Sequence, residues 1–222
     1  MSQLRYLLEE ICAGVEIYFT GRSGGQYLKT AFILCDDYTE LTSKLFLLTD
    51  NPAWSDQTAN GRFKNYHAIQ QDVRAVFSAK RAADLPIITK LHAEMASRRS
   101  RRNDFFHSTN LLDLNVSQPR CVEALVDLLD YGLLLFPADW QQTVVESRNL
   151  ETLEVLLRLE KRGFSDPSVL PRVNQLLAAW PRNLKKGERA GVHIAVHPED
   201  LHLRLCVTCG GKGLRDKLAA LL

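Results

Sequence analysis

The segment SRRSRRNDFFHS, residues 97–108, joins four arginines to an asparagine, two phenylalanines and a histidine, residue types that could bind a phosphate and carry out chemistry on it. RNA carries its own nucleophile, the 2′-hydroxyl, so cleavage requires a group that moves a proton and a cation that stabilises the charged phosphorane. Histidine transfers protons near neutral pH, and arginine presents a fixed fork of donors to phosphate oxygens. Arg102 and His107 are therefore candidate catalytic residues, and the amide of Asn103 could orient the histidine or the phosphate.

Three further arginines precede this group in the same segment, namely Arg98, Arg99 and Arg101. Arginines in such a cluster are expected to hold flanking phosphates without reading the base sequence. The alternative is a basic helix end that is solvated or that complements the helix dipole, with a histidine beside Phe105 and Phe106 that has only a structural role.

The spacing of the candidate residues predicts a dimer. In a continuous helix Asn103 and His107 lie one turn apart on one face, whereas Arg102 and His107 point about 140° apart. If the segment lies across a two-fold axis, an arginine and a histidine from each protomer can line one shared cleft. We therefore expect a homodimer, with Phe105 and Phe106 in the core or in the dimer interface.

Residues 102–107, RNDFFH, resemble the R-x4-H motif of the HEPN superfamily, in which a polar residue follows the arginine. The resemblance extends over about the first 140 residues in the number and order of helices. It implies a helical bundle that dimerises and acts as a metal-independent endoribonuclease of the toxin or antiviral-defence kind, with a cognate antitoxin or defence-system partner. Arg102 and His107 would be its catalytic pair, and Asn103 its supporting polar residue. The sequence lacks the tyrosine that follows the histidine in one antitoxin-paired branch of the family, which leaves the branch and the inhibitor open.

Apolar residues at helical spacing predict five helices before residue 148. The second of these, from Tyr27 to about Leu48, has a predicted apolar stripe of Leu28, Phe32, Cys35, Leu41, Leu45 and Leu48. The fifth, from Cys121 to Phe136, is apolar on most of its surface and should be the most buried. The fold class is therefore mainly α, with an antiparallel HEPN-like bundle over residues 1–148.

Residues 149–222 are expected to form a small α+β appendage. Leu150 to Leu159 and Val169 to Trp180 have the pattern of short helices. The stretch GVHIAVHPEDLHLRLCV, residues 191–207, alternates apolar and polar residues around a turn, as in a β-hairpin, and residues 214–222 close as an amphipathic helix.

A cysteine pair within this appendage, Cys206 and Cys209 in CVTCGGKG, resembles one zinc knuckle of a DnaJ-type cysteine-rich domain. A structural zinc needs four ligands, and the chain has no second C-x-x-C. His193, His197 and His202 lie nearby and could complete the set, or two protomers could pool four cysteines. The alternative is a pair of free thiols at a turn beside surface histidines. Catalysis itself is expected to need no cofactor.

Composition favours a globular, cytoplasmic protein. The formal net charge is +2, so any basic function must be local, and Arg5, Glu9, Glu10 and Glu16 exclude a signal peptide or membrane span at the N-terminus. Cys12, Cys35 and Cys121 stand among apolar residues, which is typical of reduced core thiols. Two other functions stay open: a non-catalytic RNA-binding or regulatory module, and a protein-interaction scaffold that uses the cysteine knuckle.

Overall fold

The computed structural model describes residues 3–21, 25–107, 116–140, 148–186, 194–196 and 203–205. Most of these residues are helical, which confirms the mainly α class. The chain divides into two compact units, residues 1–141 and residues 142–222. Within the described ranges, no helix combines the length and the apolar character needed to cross a membrane.

The first unit contains the helices predicted for the bundle. They are α1 (Gln3–Gly21), α2 (Gly25–Asp50), α3 (Tyr66–Lys80), α4 (Leu85–His107) and α5 (Gln118–Leu135), with a short 3-10 turn at Ala82–Asp84 before α4. Helix α2 is central, because it packs against α1, α3, α4 and α5. Each of the other four helices named here is therefore in contact with α2.

Helix α5 is the most extensively buried helix of this unit, as its apolar sequence predicts. Its buried side chains include Leu125, Leu128, Leu129 and Tyr131. The Tyr131 hydroxyl lies 2.8 Å from Ser43 Oγ and 3.0 Å from His92 Nε2, so the buried phenol is hydrogen-bonded to both α2 and α4. A buried polar network of this kind fixes the relative register of three helices.

The apolar stripe predicted for α2 is partly wrong. Leu41 and Leu48 are 48% and 41% exposed. The helix instead buries Thr39, Thr42 and Ser43, whose hydroxyls donate to the carbonyls four residues earlier over 2.6–2.9 Å. These bonds within the helix give each hydroxyl an acceptor, so small polar residues can be buried there, and Ser43 also bonds to Tyr131 of α5.

The segment between α2 and α3 is fixed against α3 by polar contacts. Trp54 Nε1 and Lys64 Nζ both donate to Asp72 Oδ2, over 2.9 and 2.8 Å. Asn65 caps α3, since its side-chain oxygen accepts from the Ala68 amide at 2.9 Å. The start of α3 is therefore held in a defined position beside α4.

The second unit contains α6 (Arg148–Ser165) and α7 (Leu170–Lys186), where two helices are predicted. Their packed apolar residues include Leu150, Leu153, Leu156, Leu157, Val173 and Leu176. Two short strands, β1 (Ile194–Val196) and β2 (Leu203–Leu205), pair antiparallel with Ile194 opposite Leu205. The rest of the predicted hairpin and the predicted final helix lie outside the described residues.

Candidate active site

Helix α4 runs without interruption from Leu85 through the basic segment to His107. Pro86 lies in its first turn, where a missing N–H breaks no hydrogen bond, and no later residue of the helix is a proline or glycine. Arg102, Asn103 and His107 thus share its last two turns. The backbone at 104–107 is helical, but the side chains there, including that of His107, lie outside the description.

Arg102 is held by acidic residues of α2. Its Nη2 donates to Asp37 Oδ1 at 2.8 Å, and its Nε lies 3.6 Å from Asp36 Oδ2. Its Nη1 also donates to Asn103 Oδ1 at 3.2 Å, so the arginine and the asparagine are in direct contact. The Arg102 side chain keeps 22% of its surface exposed.

Arg99 lies one turn earlier and contacts the same face of α2. Its Nη2 lies 2.9 Å from Glu40 Oε2, and its Nη1 lies 3.4 Å from Asp36 Oδ2. The guanidinium carbon is 4.2 Å from the ring centroid of Tyr66, a cation–π contact that fixes its plane. Two arginines of α4 therefore face three carboxylates of α2.

The pKa values of two carboxyl groups in this contact shift in opposite directions. Asp36 is buried, which raises its carboxyl pKa to about 6 although the charges of Arg99 and Arg102 oppose the shift. Its Oδ2 accepts no hydrogen bond, since both guanidinium contacts are longer than good hydrogen bonds. For Glu40, burial raises the pKa, but the Lys44 hydrogen bond and the Arg99 charge outweigh it and the net shift is downward.

The remaining arginines of the segment point elsewhere. Arg98 Nη2 forms an ion pair with Oδ2 of Asp127, a buried residue of α5. Arg101 is partly buried. Arg98 therefore pairs with α5, whereas Arg99 and Arg102 pair with α2. The sequence of the segment does not reveal these partners. Whether Arg98, Arg99 and Arg101 also hold phosphates stays a prediction.

A cleft of about 480 Å³ adjoins the end of α4. Asn103, Ser100 and Arg99 line it from α4, and Tyr66 and His67 line it from the start of α3. The structure thus brings Arg99 and Asn103 to one cavity.

Sequence reasoning missed the acidic residues of α2 at the site. The apolar pattern of that helix is interrupted at one-turn spacing by Asp36, Asp37 and Glu40. This interruption was the sequence signal that could have identified an acidic face on α2. Periodicity alone does not identify the helix that they would face.

The predicted zinc ligands, namely Cys206, Cys209, His193, His197 and His202, all lie outside the described residues. Among the residues that are described, no three histidine, cysteine or acidic side chains come together as a metal site would require. Cys12, Cys35 and Cys121 are buried and form no disulfide within the described part of the chain, as predicted for core thiols.

Comparison with known proteins gives no match: no protein-family model, no curated protein and no solved structure is significantly similar to the chain.

Proposed function

We propose that this chain is a metal-independent endoribonuclease with a HEPN-like bundle, of the toxin or antiviral-defence kind. The observation that carries the proposal is the fixed position of Arg102, which Asp37 holds at 2.8 Å on the helix end that also carries Asn103 and His107. A guanidinium oriented in advance stabilises developing phosphate charge without reorganising during the reaction.

The proposed reaction uses the RNA 2′-hydroxyl as nucleophile. His107 accepts its proton as the oxygen attacks phosphorus, the bond to the 5′-oxygen breaks, that oxygen takes up a proton from water, and the imidazolium returns its proton to the solvent. Arg102 stabilises the charged phosphorane, and Asn103 orients the phosphate or the histidine. The products are a 2′,3′-cyclic phosphate and a 5′-hydroxyl.

A homodimer would complete the site. On the continuous helix α4, Arg102 and His107 point about 140° apart, so arginine and histidine from two protomers meet more readily than those of one. Light scattering should give twice the 25.1 kDa chain mass, and a monomer at micromolar concentration would contradict the composite site.

A non-catalytic RNA-binding or regulatory module is the second candidate, and the ion pairs of the basic segment favour it over catalysis. Arg98, Arg99 and Arg102 each contact a carboxylate, and a guanidinium whose charge is already paired stabilises a phosphorane less well. A module of this kind would bind RNA and leave it intact. The scaffold function, and any partner of the cysteine knuckle, depend on residues outside the described part of the chain.

The proposal is tested by incubating the protein in EDTA with single-stranded RNA and with DNA of the same sequence. We expect RNA to be cut with cyclic phosphate ends and DNA to survive. Arg102→Ala should weaken both binding and turnover, whereas the control Arg5→Ala, which removes an exposed arginine paired with Glu9, should change neither. Tight RNA binding without cleavage would support the second candidate instead.

A further inference from the structure

The cleft beside the end of α4 is open to solvent, and its volume of about 480 Å³ leaves room for a small planar group. Asn103 belongs both to the cleft wall and to the candidate catalytic segment, and His107 follows one helical turn later. A group bound in the cleft would therefore lie next to the proposed site of cleavage.

The charges of the cleft are already balanced. Arg99 Nη2 lies 2.9 Å from Glu40, and Lys64 Nζ lies 2.8 Å from Asp72. The Glu40 carboxylate itself lines the cleft. A phosphate would have to compete with these ion pairs and would face a negative charge, so the cleft suits a neutral group better.

Arg99 forms part of the cleft wall. Its guanidinium lies 4.2 Å from the ring centroid of Tyr66, which is itself buried, and the arginine side chain is 23% exposed. Guanidinium planes are surfaces on which unstacked nucleobases stack in single-stranded RNA recognition. The pairing with Glu40 fixes this plane before any ligand binds.

The cleft also carries neutral hydrogen-bonding groups. Ser100 and Asn103 are exposed on α4, where a hydroxyl and an amide can both donate and accept. His67 lies on the opposite wall, with its Nε2 3.0 Å from the Gln71 amide nitrogen. These groups match the donors and acceptors on the edge of a nucleobase.

We infer that the cleft binds a nucleobase of the RNA substrate, stacked on Arg99 and hydrogen-bonded by Ser100 and Asn103. The inference rests on the proposed function, because the base belongs to a nucleotide beside the scissile phosphate. It adds base selectivity to a site whose other arginines are expected to contact only the phosphates. Cleavage of a mixed-sequence RNA should therefore show a base preference at one position next to the cut.

Two exposed serines of α4 provide a matched test, because Ser100 lines the cleft and Ser97 does not belong to the lining. Calorimetry measures the binding of the four 3′-nucleoside monophosphates, and sequencing of cleaved RNA ends measures base preference. Ser100→Trp should fill the cleft, weaken binding of the preferred nucleotide by about tenfold or more and flatten the preference. Ser97→Trp should stay within about twofold of wild type.

The outcomes separate this inference from the cleavage proposal. Cleavage with the same base preference in all three proteins would overturn the inference and leave the cleavage proposal standing. Undetectable nucleotide binding by wild type would also overturn the inference. Nucleotide binding that depends on Ser100, with unchanged cleavage preference, would assign the cleft to a free nucleotide and not to the substrate. Nucleotide binding without any cleavage would overturn both the cleavage proposal and the substrate role of the cleft.

Discussion

Arg102 Nη2 donates a hydrogen bond to Asp37 Oδ1 over 2.8 Å and joins the end of α4 to the middle of α2 across 65 residues of sequence. A bond between a guanidinium and a carboxylate is charge-assisted and directional, so it restricts the rotamers of a long side chain. The orientation of the candidate catalytic arginine is therefore set by a residue outside the motif.

This relationship makes Asp37 a positioning residue for the proposed reaction. We expect Asp37→Ala to lower kcat for RNA cleavage by about tenfold with a smaller change in KM, because a mobile guanidinium stabilises the transition state less well. Asp37→Asn should recover part of the loss, since its amide oxygen can still accept the bond. The control Glu9→Ala removes an exposed carboxylate from its pair with Arg5. A kcat for Asp37→Ala equal to that of this control would argue against the positioning role.

Arg98 is predicted to stabilise the fold through Asp127. Truncation of Arg98 leaves a buried carboxylate without its guanidinium partner, which costs roughly 3–5 kcal/mol in comparable buried pairs. Urea unfolding of Arg98→Ala should show a loss of this order, while the double variant Arg98→Met with Asp127→Leu should recover most of it.

The exposed pair of Arg5 and Glu9 provides the comparison for Arg98, since Arg5→Ala should change the free energy of unfolding by less than about 1 kcal/mol. An Arg98→Ala variant as stable as Arg5→Ala would show that the pair with Asp127 contributes little.

The helices were predictable from sequence, but the partners of the basic segment were not. The burial of α5 was predicted correctly, because most of its residues from Cys121 onwards are apolar. Periodicity wrongly placed Leu41 and Leu48 in the buried stripe of α2. The helix instead buries residues whose hydroxyls bond to their own helix, and such residues leave no apolar signal in the sequence. The pairing of Arg102 with Asp37 depends on how α2 and α4 pack, which local pattern does not encode.

His92 should make stability depend on pH. Burial, with a smaller effect of the Arg74 charge, lowers the pKa of this imidazole to about 3, below its unfolded value of about 6.5. The unfolded chain then binds the proton more readily than the folded chain. The contribution of neutral His92 to the free energy of unfolding is therefore complete above pH 6.5 and is lost as the pH falls towards 3.

The matched variant for this pH dependence is His92→Gln, which does not titrate. Below about pH 5.5, where the unfolded imidazole is almost fully protonated, wild type should lose about 1.4 kcal/mol of unfolding free energy per pH unit relative to the variant. Urea unfolding at several pH values measures this difference, and parallel curves for the two proteins would contradict the low pKa. Comparing wild type with the variant also cancels the opposite pH dependence of Asp36, whose raised pKa favours the folded state at low pH.

A structural zinc at Cys206 and Cys209 is predicted to stabilise the C-terminal part of the chain. Ligands that converge only in the folded state couple metal binding to folding, so chelation should lower the melting temperature. Elemental analysis of wild type should give zinc, and Cys206→Ser should abolish it. A metal-free wild type as stable as the zinc-treated protein would support the free-thiol alternative.

The most direct test of the central claim is the rate of RNA cleavage by wild type and by His107→Ala after both have been treated with EDTA. We predict that wild type cleaves and that His107→Ala is slower by on the order of a hundredfold or more, because the variant lacks the proton-transfer group. RNA binding, measured in parallel, should be largely retained. Equal cleavage rates for the two proteins would contradict the assignment of His107 and with it the proposed mechanism.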